Sequence, residues 1–168
     1  MVGDRTGRVA HNLVARYFSG VTDDLVLRRQ VCFALYAASR AMTDVYRPIL
    51  DAVGLTYPQY LVLLVLWEHD GDPRTVSDLG AELRLDSGTL SPLLKRLEET
   101  GLVVRRRSTR DERRVEVELT DAGRALRQRV EDVPLRIARA TGLSEAELVA
   151  LRDTLTRVTE TVHRQKEQ

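Results

Sequence analysis

Apolar residues recur along most of this chain at helical spacing, and in one short stretch they alternate instead. The change of rhythm falls within residues 75–119. Val76, Leu79 and Leu83 share one face of a short helix, and Leu90, Leu93, Leu94 and Leu97 form an i, i+3, i+4, i+7 stripe on the next. Val115, Val117 and Leu119 then alternate with Glu116 and Glu118, the pattern of a half-buried strand, with residues 102–106 as its partner. Two short helices followed by a two-stranded ribbon predict a winged helix-turn-helix, a module that lays one helix in the major groove of DNA.

Local signals agree. Thr75-Val76-Ser77-Asp78 has capping-box spacing, with Asp where Glu or Gln is usual. Arg84-Leu85-Asp86 reads as the turn, and Gly101 stands where a glycine ends a helix. Pro92 sets two starts of the second helix against each other. With Asp86 as N-cap it falls in the second turn and removes a hydrogen bond; with Thr89 as N-cap it falls in the first, where it is tolerated. The proline favours Thr89, or a frayed start. The face opposite the leucine stripe carries Gly88, Ser91, Pro92, Lys95 and Glu99. Small and hydroxylated residues near a helix start let the backbone approach a groove, so Ser87, Gly88, Thr89, Ser91 and Lys95 are the candidate DNA contacts there. Residues 105–114 hold six arginines against Asp111 and Glu112, a local charge of +4. A charge run by itself is usually a solvated face. At the tip of a hairpin behind a helix-turn-helix it suits a minor groove, with Arg107, Arg110, Asp111 and Arg113 as candidates.

Helices with stripes of their own flank this module. Residues 1–21 mix Gly, Arg, Asn and Ser with little periodicity and predict a flexible N-terminal arm. Residues 22–168 read as one domain. Thr22, followed by Asp23 and Asp24, predicts the start of a long helix over 22–54, disturbed at Pro48. Thr56-Tyr57-Pro58-Gln59 fits another capping box, and the helix it opens is apolar nearly all round, so it belongs at the centre of the core. Thr120 opens a helix reaching about residue 140, and Gly142 stops it. Ser144-Glu145-Ala146-Glu147 caps a last helix striped by Leu148, Leu151, Leu155, Val158 and Val162. One chain has few elements to cover the stripes of 22–54 and 121–165. A two-fold dimer covers them and sets two recognition helices about one DNA turn apart. The expected fold is mainly α with a small β-wing, a winged helix-turn-helix between dimerisation helices.

Composition narrows the partners. The 168 residues carry a formal net charge of only +1, so attraction to DNA has to come from local patches. No apolar run reaches the length of a membrane span and no hydrophobic signal core precedes Leu25, so no membrane partner and a cytoplasmic location are expected. A single cysteine excludes an internal disulfide framework. His11, His69 and His163 are scattered without metal-ligand spacing, so neither metal nor other cofactor is expected.

Cys32 and Tyr36 are four apart and share a helix face. Tyr46 lies near the same face but about 21 Å further along a straight axis. It is out of reach of its own Cys32 and within reach of the Cys32 of an antiparallel copy, where Tyr57 could join it. Phenol hydroxyls beside a sulfur donate hydrogen bonds and stabilise a thiolate. A buried free cysteine is most often an ordinary small hydrophobe, and the residues alone leave both readings open.

Gln30-Val31-Cys32-Phe33-Ala34-Leu35-Tyr36 resembles the sensing segment of the organic hydroperoxide resistance regulators (OhrR), a branch of the MarR family. The likeness continues through Thr56-Tyr57-Pro58-Gln59-Tyr60, Leu66-Trp67-Glu68-His69, Leu85-Asp86-Ser87-Gly88-Thr89-Leu90 and Asp111-Glu112-Arg113, over about residues 25–140. The resemblance implies a homodimeric repressor of a peroxidase gene that binds operator DNA and is not an enzyme. It implies that an organic hydroperoxide oxidises Cys32, that Tyr46 and Tyr57 of the other subunit contact it, and that Tyr36 lies close by. It further implies that Arg113 enters a minor groove and that Asp111 buttresses the wing. Some relatives carry a resolving cysteine near the C-terminus. This chain has none, so a sulfenic acid on Cys32 has to be capped by a low-molecular-weight thiol or over-oxidised. Two other readings remain. A MarR-type repressor can be released by a small aromatic ligand held by Tyr36, Tyr46 and Tyr57, with Cys32 inert. A thiol peroxidase of the peroxiredoxin type would need a Thr three residues before the cysteine, where this chain has Arg29.

Overall fold

The computed structural model describes residues 26–108, 111 and 113–166. The predicted arm 1–21, the Thr22 cap with Asp23 and Asp24, and Arg110 lie outside the described residues. The chain forms two compact units, Met1–Ala41 and Met42–Gln168. In the first, a short 3-10 turn, Leu27–Arg29, precedes helix α1, Val31–Asp51, which runs on into the second. Within the described residues the long helix starts at Val31, because Val26 and Gln30 hold extended backbone on either side of the turn. Pro48 lies inside α1 without ending it; it removes one N–H and leaves the remaining ladder in place.

The second unit is organised around α2, Tyr57–Glu68. Gln59 starts it by accepting the Thr56 backbone N–H on Oε1 at 2.8 Å. Its apolar circumference is used as predicted, with Tyr60, Val62, Leu63, Leu66 and Trp67 all buried. Helices α3, Val76–Leu83, and α4, Ser87–Glu99, pack against it and contribute Leu79, Leu90, Leu94 and Leu97 to the same core. Asp78 completes the α3 capping box despite being shorter than Glu. Its N–H reaches Thr75 Oγ1 at 3.1 Å, and its Oδ2 accepts the Thr75 N–H at 3.0 Å. In the turn, Arg84 takes the left-handed conformation at φ 54°, and Leu85 donates its N–H to the Gly80 carbonyl at 2.9 Å.

The N-cap of α4 is Asp86, not Thr89. Asp86 Oδ1 accepts the Thr89 N–H at 2.8 Å, and Oδ2 accepts the Thr89 hydroxyl at 3.1 Å. Pro92 therefore does stand in the second turn. The carbonyl it leaves without a helical donor belongs to Gly88, which is exposed and open to water. At the other end Gly101 has φ 72°. Its N–H reaches the Glu98 carbonyl and that of Leu102 reaches the Leu97 carbonyl, both at 2.9 Å, the paired bonds of a Schellman close.

Three antiparallel strands form the wing sheet in the order β1-β3-β2: β1 is Arg74–Thr75, β2 Val103–Arg107 and β3 Val115–Leu119. Val103 faces Leu119, Arg105 faces Val117 and Arg107 faces Val115. The two-residue β1 was not anticipated, since two residues carry no readable period. Beyond the wing, the helix expected over 121–140 is two: α5, Asp121–Arg129, and α6, Val133–Thr141. Pro134 cannot donate back to Val130, and the break lets Val130 and Val133 both enter the core. Gly142 ends α6 at φ 70°. In α7, Glu145–Lys166, Leu151, Val158 and Val162 stay close to half exposed. No helix among the described residues is long and apolar enough to cross a membrane.

One contact ties these pieces together. Trp67 Nε1 donates to the Gly123 carbonyl at 2.9 Å, and a Cβ on Gly123 would lie 2.1 Å from the Leu102 carbonyl oxygen. Gly123→Ala should therefore cost at least about 2 kcal/mol, as overpacking against fixed backbone does. Chemical denaturation checks this, and a wild-type midpoint would contradict it.

Candidate nucleic-acid interface and cysteine segment

Leu90, Leu94 and Leu97 turn one face of α4 into the core, which leaves Ser87, Gly88, Thr89, Ser91 and Lys95 exposed on the other. Ser91 Oγ donates to the Ser87 carbonyl at 2.7 Å, so one hydroxyl is engaged locally. Lys95 lies 3.8 Å from Glu99 with both side chains in solvent, which leaves the ammonium free to exchange partners. The Thr89 amide and hydroxyl hold the Asp86 carboxyl below the usual carboxylate range. Asp86 was anticipated only as part of the turn; its cap fixes how the exposed face begins.

In the wing, Arg107 and Arg113 are exposed. Asp111 shapes the turn by accepting the Arg113 N–H on Oδ1 at 3.1 Å, while its carbonyl accepts the Arg114 N–H at 2.9 Å and Oδ2 lies 3.5 Å from Arg114 Nε. Ser108 closes the loop by donating its N–H to the Arg114 carbonyl at 2.9 Å. One of the six arginines is committed elsewhere. Arg105 binds Glu98 through Nε at 2.8 Å and Nη2 at 2.6 Å, and its backbone N–H reaches the same carboxylate at 3.1 Å. Arginines counted by sequence carry no sign of which are paired seven residues back, across a glycine turn.

The cysteine segment lies in the first unit. Cys32 is a free, exposed thiol. Tyr36 is exposed and accepts a hydrogen bond on its hydroxyl from Arg40 Nη1 at 3.1 Å, with the guanidinium 5.7 Å from the ring centroid. Val31, Phe33 and Leu35 beside them are also exposed, Val31 by 68%. In the second unit Tyr46 and Tyr57 come together with ring centroids 4.5 Å apart, and Tyr60 lies 6.1 Å from Tyr46. Burial first, then its neighbours Tyr57 and Tyr60, push the Tyr46 phenol up to about 12. Burial raises Tyr57 and Tyr60 as well. All three are thus neutral O–H donors at physiological pH. Among the described residues no group of His, Cys, Asp and Glu could hold a metal ion.

Comparison with known proteins agrees with this architecture. The family model for the transcriptional regulator SarA/Rot matches residues 44–130. The chain is 47% identical over 141 residues to the organic hydroperoxide resistance transcriptional regulator of Bacillus subtilis, covering 84% of this chain and 95% of that protein. It is 40% identical over 139 residues to the HTH-type transcriptional regulator MgrA of Staphylococcus aureus, covering 82% and 93%. Its fold matches reduced AbfR bound to DNA with a TM-score of 0.68 at 37% identity, covering 81% of this chain and 94% of that one.

The phenol cluster predicts an alkaline transition. Its protonated form is favoured by folding, so the contribution is present below the ordinary phenol range and is lost as pH rises towards 12. Tyr46→Phe should delete the most alkaline step of the phenolate absorbance titration; loss of a step near 10 instead would contradict the burial argument.

Proposed function

The chain belongs to the MarR family of winged-helix transcriptional regulators, in its organic hydroperoxide resistance (OhrR) branch, and we propose that it is a homodimeric repressor released from its operator when an organic hydroperoxide oxidises Cys32. Its relatives are transcriptional regulators and not enzymes. The observation that carries the redox reading is the exposure of the sole cysteine, within the segment that resembles a peroxide sensor and among apolar side chains that no described part of its own unit covers.

A second copy supplies the missing cover. Packing the stripes of α1 and α7 across a two-fold axis removes large apolar side chains from water, each worth about 1.5–3 kcal/mol when fully buried. It also sets the phenols of Tyr46 and Tyr57 from one subunit against Cys32 of the other, with Tyr36 alongside. Neutral phenols donate hydrogen bonds to a thiolate, which favours the nucleophilic form of the sulfur. The thiolate attacks the terminal oxygen of the hydroperoxide, breaking the O–O bond and leaving Cys32 sulfenic acid and an alcohol. A low-molecular-weight thiol then displaces water to give a mixed disulfide. The lost hydrogen bonds and added bulk lie at the seam between subunits. Such a change shifts the spacing of the two DNA modules because the two states differ in contacts there. On DNA, Ser87, Gly88, Thr89, Ser91 and Lys95 face the major groove, Arg107 and Arg113 reach the minor groove with Arg110, and Asp111 holds their turn.

The tyrosine cluster favours a second reading, in which a small aromatic acid occupies it and Cys32 is inert. A duplex selected from a random pool by the reduced protein separates the two. Cys32→Ser should bind this duplex as the parent does and stay bound in cumene hydroperoxide. Release of Cys32→Ser by the peroxide would remove the sensor role. Release of both proteins by salicylate, with peroxide inactive on either, would select the aromatic ligand.

A further inference from the structure

Strand β2 lies at the edge of the wing sheet, with β3 on one side only. Its inward N–H and C=O groups pair with β3, as the Ser108 to Arg114 and Thr120 to Leu102 bonds show at either end of the ladder. By alternation Arg105 points its N–H outward. An outward N–H on an edge strand normally meets water or another strand. Here it meets Glu98, in the last turn of the recognition helix α4. The Glu98 carboxylate takes this N–H on Oε1 and the Arg105 guanidinium, through two nitrogens, on Oε2. Three hydrogen bonds from one residue converge on a carboxylate whose side chain is only 35% exposed. This is the one ion pair between α4 and the wing among the described residues, and it spans the Gly101 turn that joins them along the chain. The pairing also holds the Glu98 carboxyl below its ordinary range.

We propose that Glu98 is a positioning residue for DNA binding: by clamping Arg105 it sets the angle between the recognition helix and the wing, and it withholds Arg105 from the phosphate backbone. A helix in one groove and a hairpin tip in the next must fit simultaneously, so an error in their angle penalises the matched sequence. Non-specific binding, which needs only positive charge near phosphates, tolerates it. The pair brings the wing's +4 to +3, leaving the exposed arginines nearer the tip to face DNA. The clamp requires DNA binding only, whichever way the regulator is switched.

Two variants test it, using the in vitro selected duplex and a scrambled duplex of equal composition. Glu98→Gln keeps size and one acceptor but frees Arg105. The ratio of specific to non-specific affinity should fall about tenfold, and the dependence of log K on log salt should steepen by about one, the signature of one added phosphate contact. Arg105→Met keeps the apolar stem and removes the clamp from the other side. The affinity ratio should fall similarly with the salt slope unchanged, because the parent spends no phosphate contact on Arg105. A uniform loss on both duplexes, tracking a lowered melting temperature, would reduce the pair to a structural tie and overturn the proposal. A salt slope shallower by about one in Arg105→Met, with the ratio intact, would show that Arg105 contacts phosphate and overturn it equally. Should Glu98→Gln not fold, the Arg105→Met slope and ratio decide the matter alone.

Discussion

The bond from the Trp67 indole to the Gly123 carbonyl sits where four segments meet. Trp67 ends the buried helix α2, and Gly123 lies in the first turn of α5. The Leu102 carbonyl against Gly123 belongs to the turn that closes the recognition helix, and Thr120 at the end of β3 donates its hydroxyl to the Gly101 carbonyl at 2.6 Å. Only a glycine lets these backbones approach so closely. The recognition helix, the wing base, the core helix and the start of the C-terminal helices are therefore fixed to one point. A displacement of α2 has to be felt at the end of α4, since packed interiors do not deform continuously.

The same helix begins at Tyr57, whose ring meets that of Tyr46 at a tilt of 42°. The phenol cluster and the Trp67 bond occupy opposite ends of one twelve-residue rod. In the proposed mechanism this is how an event at a cysteine seam reaches the DNA face without any flexible linker. The seam itself depends on a shortage. A short chain with long striped helices leaves their apolar faces open, as in α7. In the proposed mechanism the second copy that covers them also completes the environment of Cys32. Sensing and dimerisation then share one surface, which is what a contact-dependent switch requires.

Much of this was legible in the chain because it is set by local rules. The leucine stripe of α4, the Thr75 and Asp78 cap, the Gly101 close and the alternation of β3 each need only a few neighbouring residues, and each appears where the pattern put it. What escaped depends on partners distant in sequence or on competing local rules. Pro92 argued against Asp86 as a cap, yet two bonds to Thr89 outweigh a lost bond whose acceptor is in water. Pro134 breaks what the sequence presents as one continuous helix. By sequence Arg105 is one more wing cation, and its pairing with Glu98 depends on the fold across the Gly101 turn. At the candidate site, spacing alone puts Tyr46 within reach of the Cys32 of an antiparallel copy and lets Tyr57 join it, but the contact between the two rings, with Tyr60 beside them, is not readable in the chain, because a helix period says nothing about which neighbouring helix packs there.

In the proposed mechanism, modification of Cys32 and loss of DNA binding are one event. This is tested most directly by titrating the reduced protein with cumene hydroperoxide in the presence of a low-molecular-weight thiol, then reading gel-shift binding and intact mass on the same samples. Binding should fall in proportion to the species carrying one thiol adduct on Cys32. Full binding by a protein whose Cys32 is quantitatively modified would contradict it.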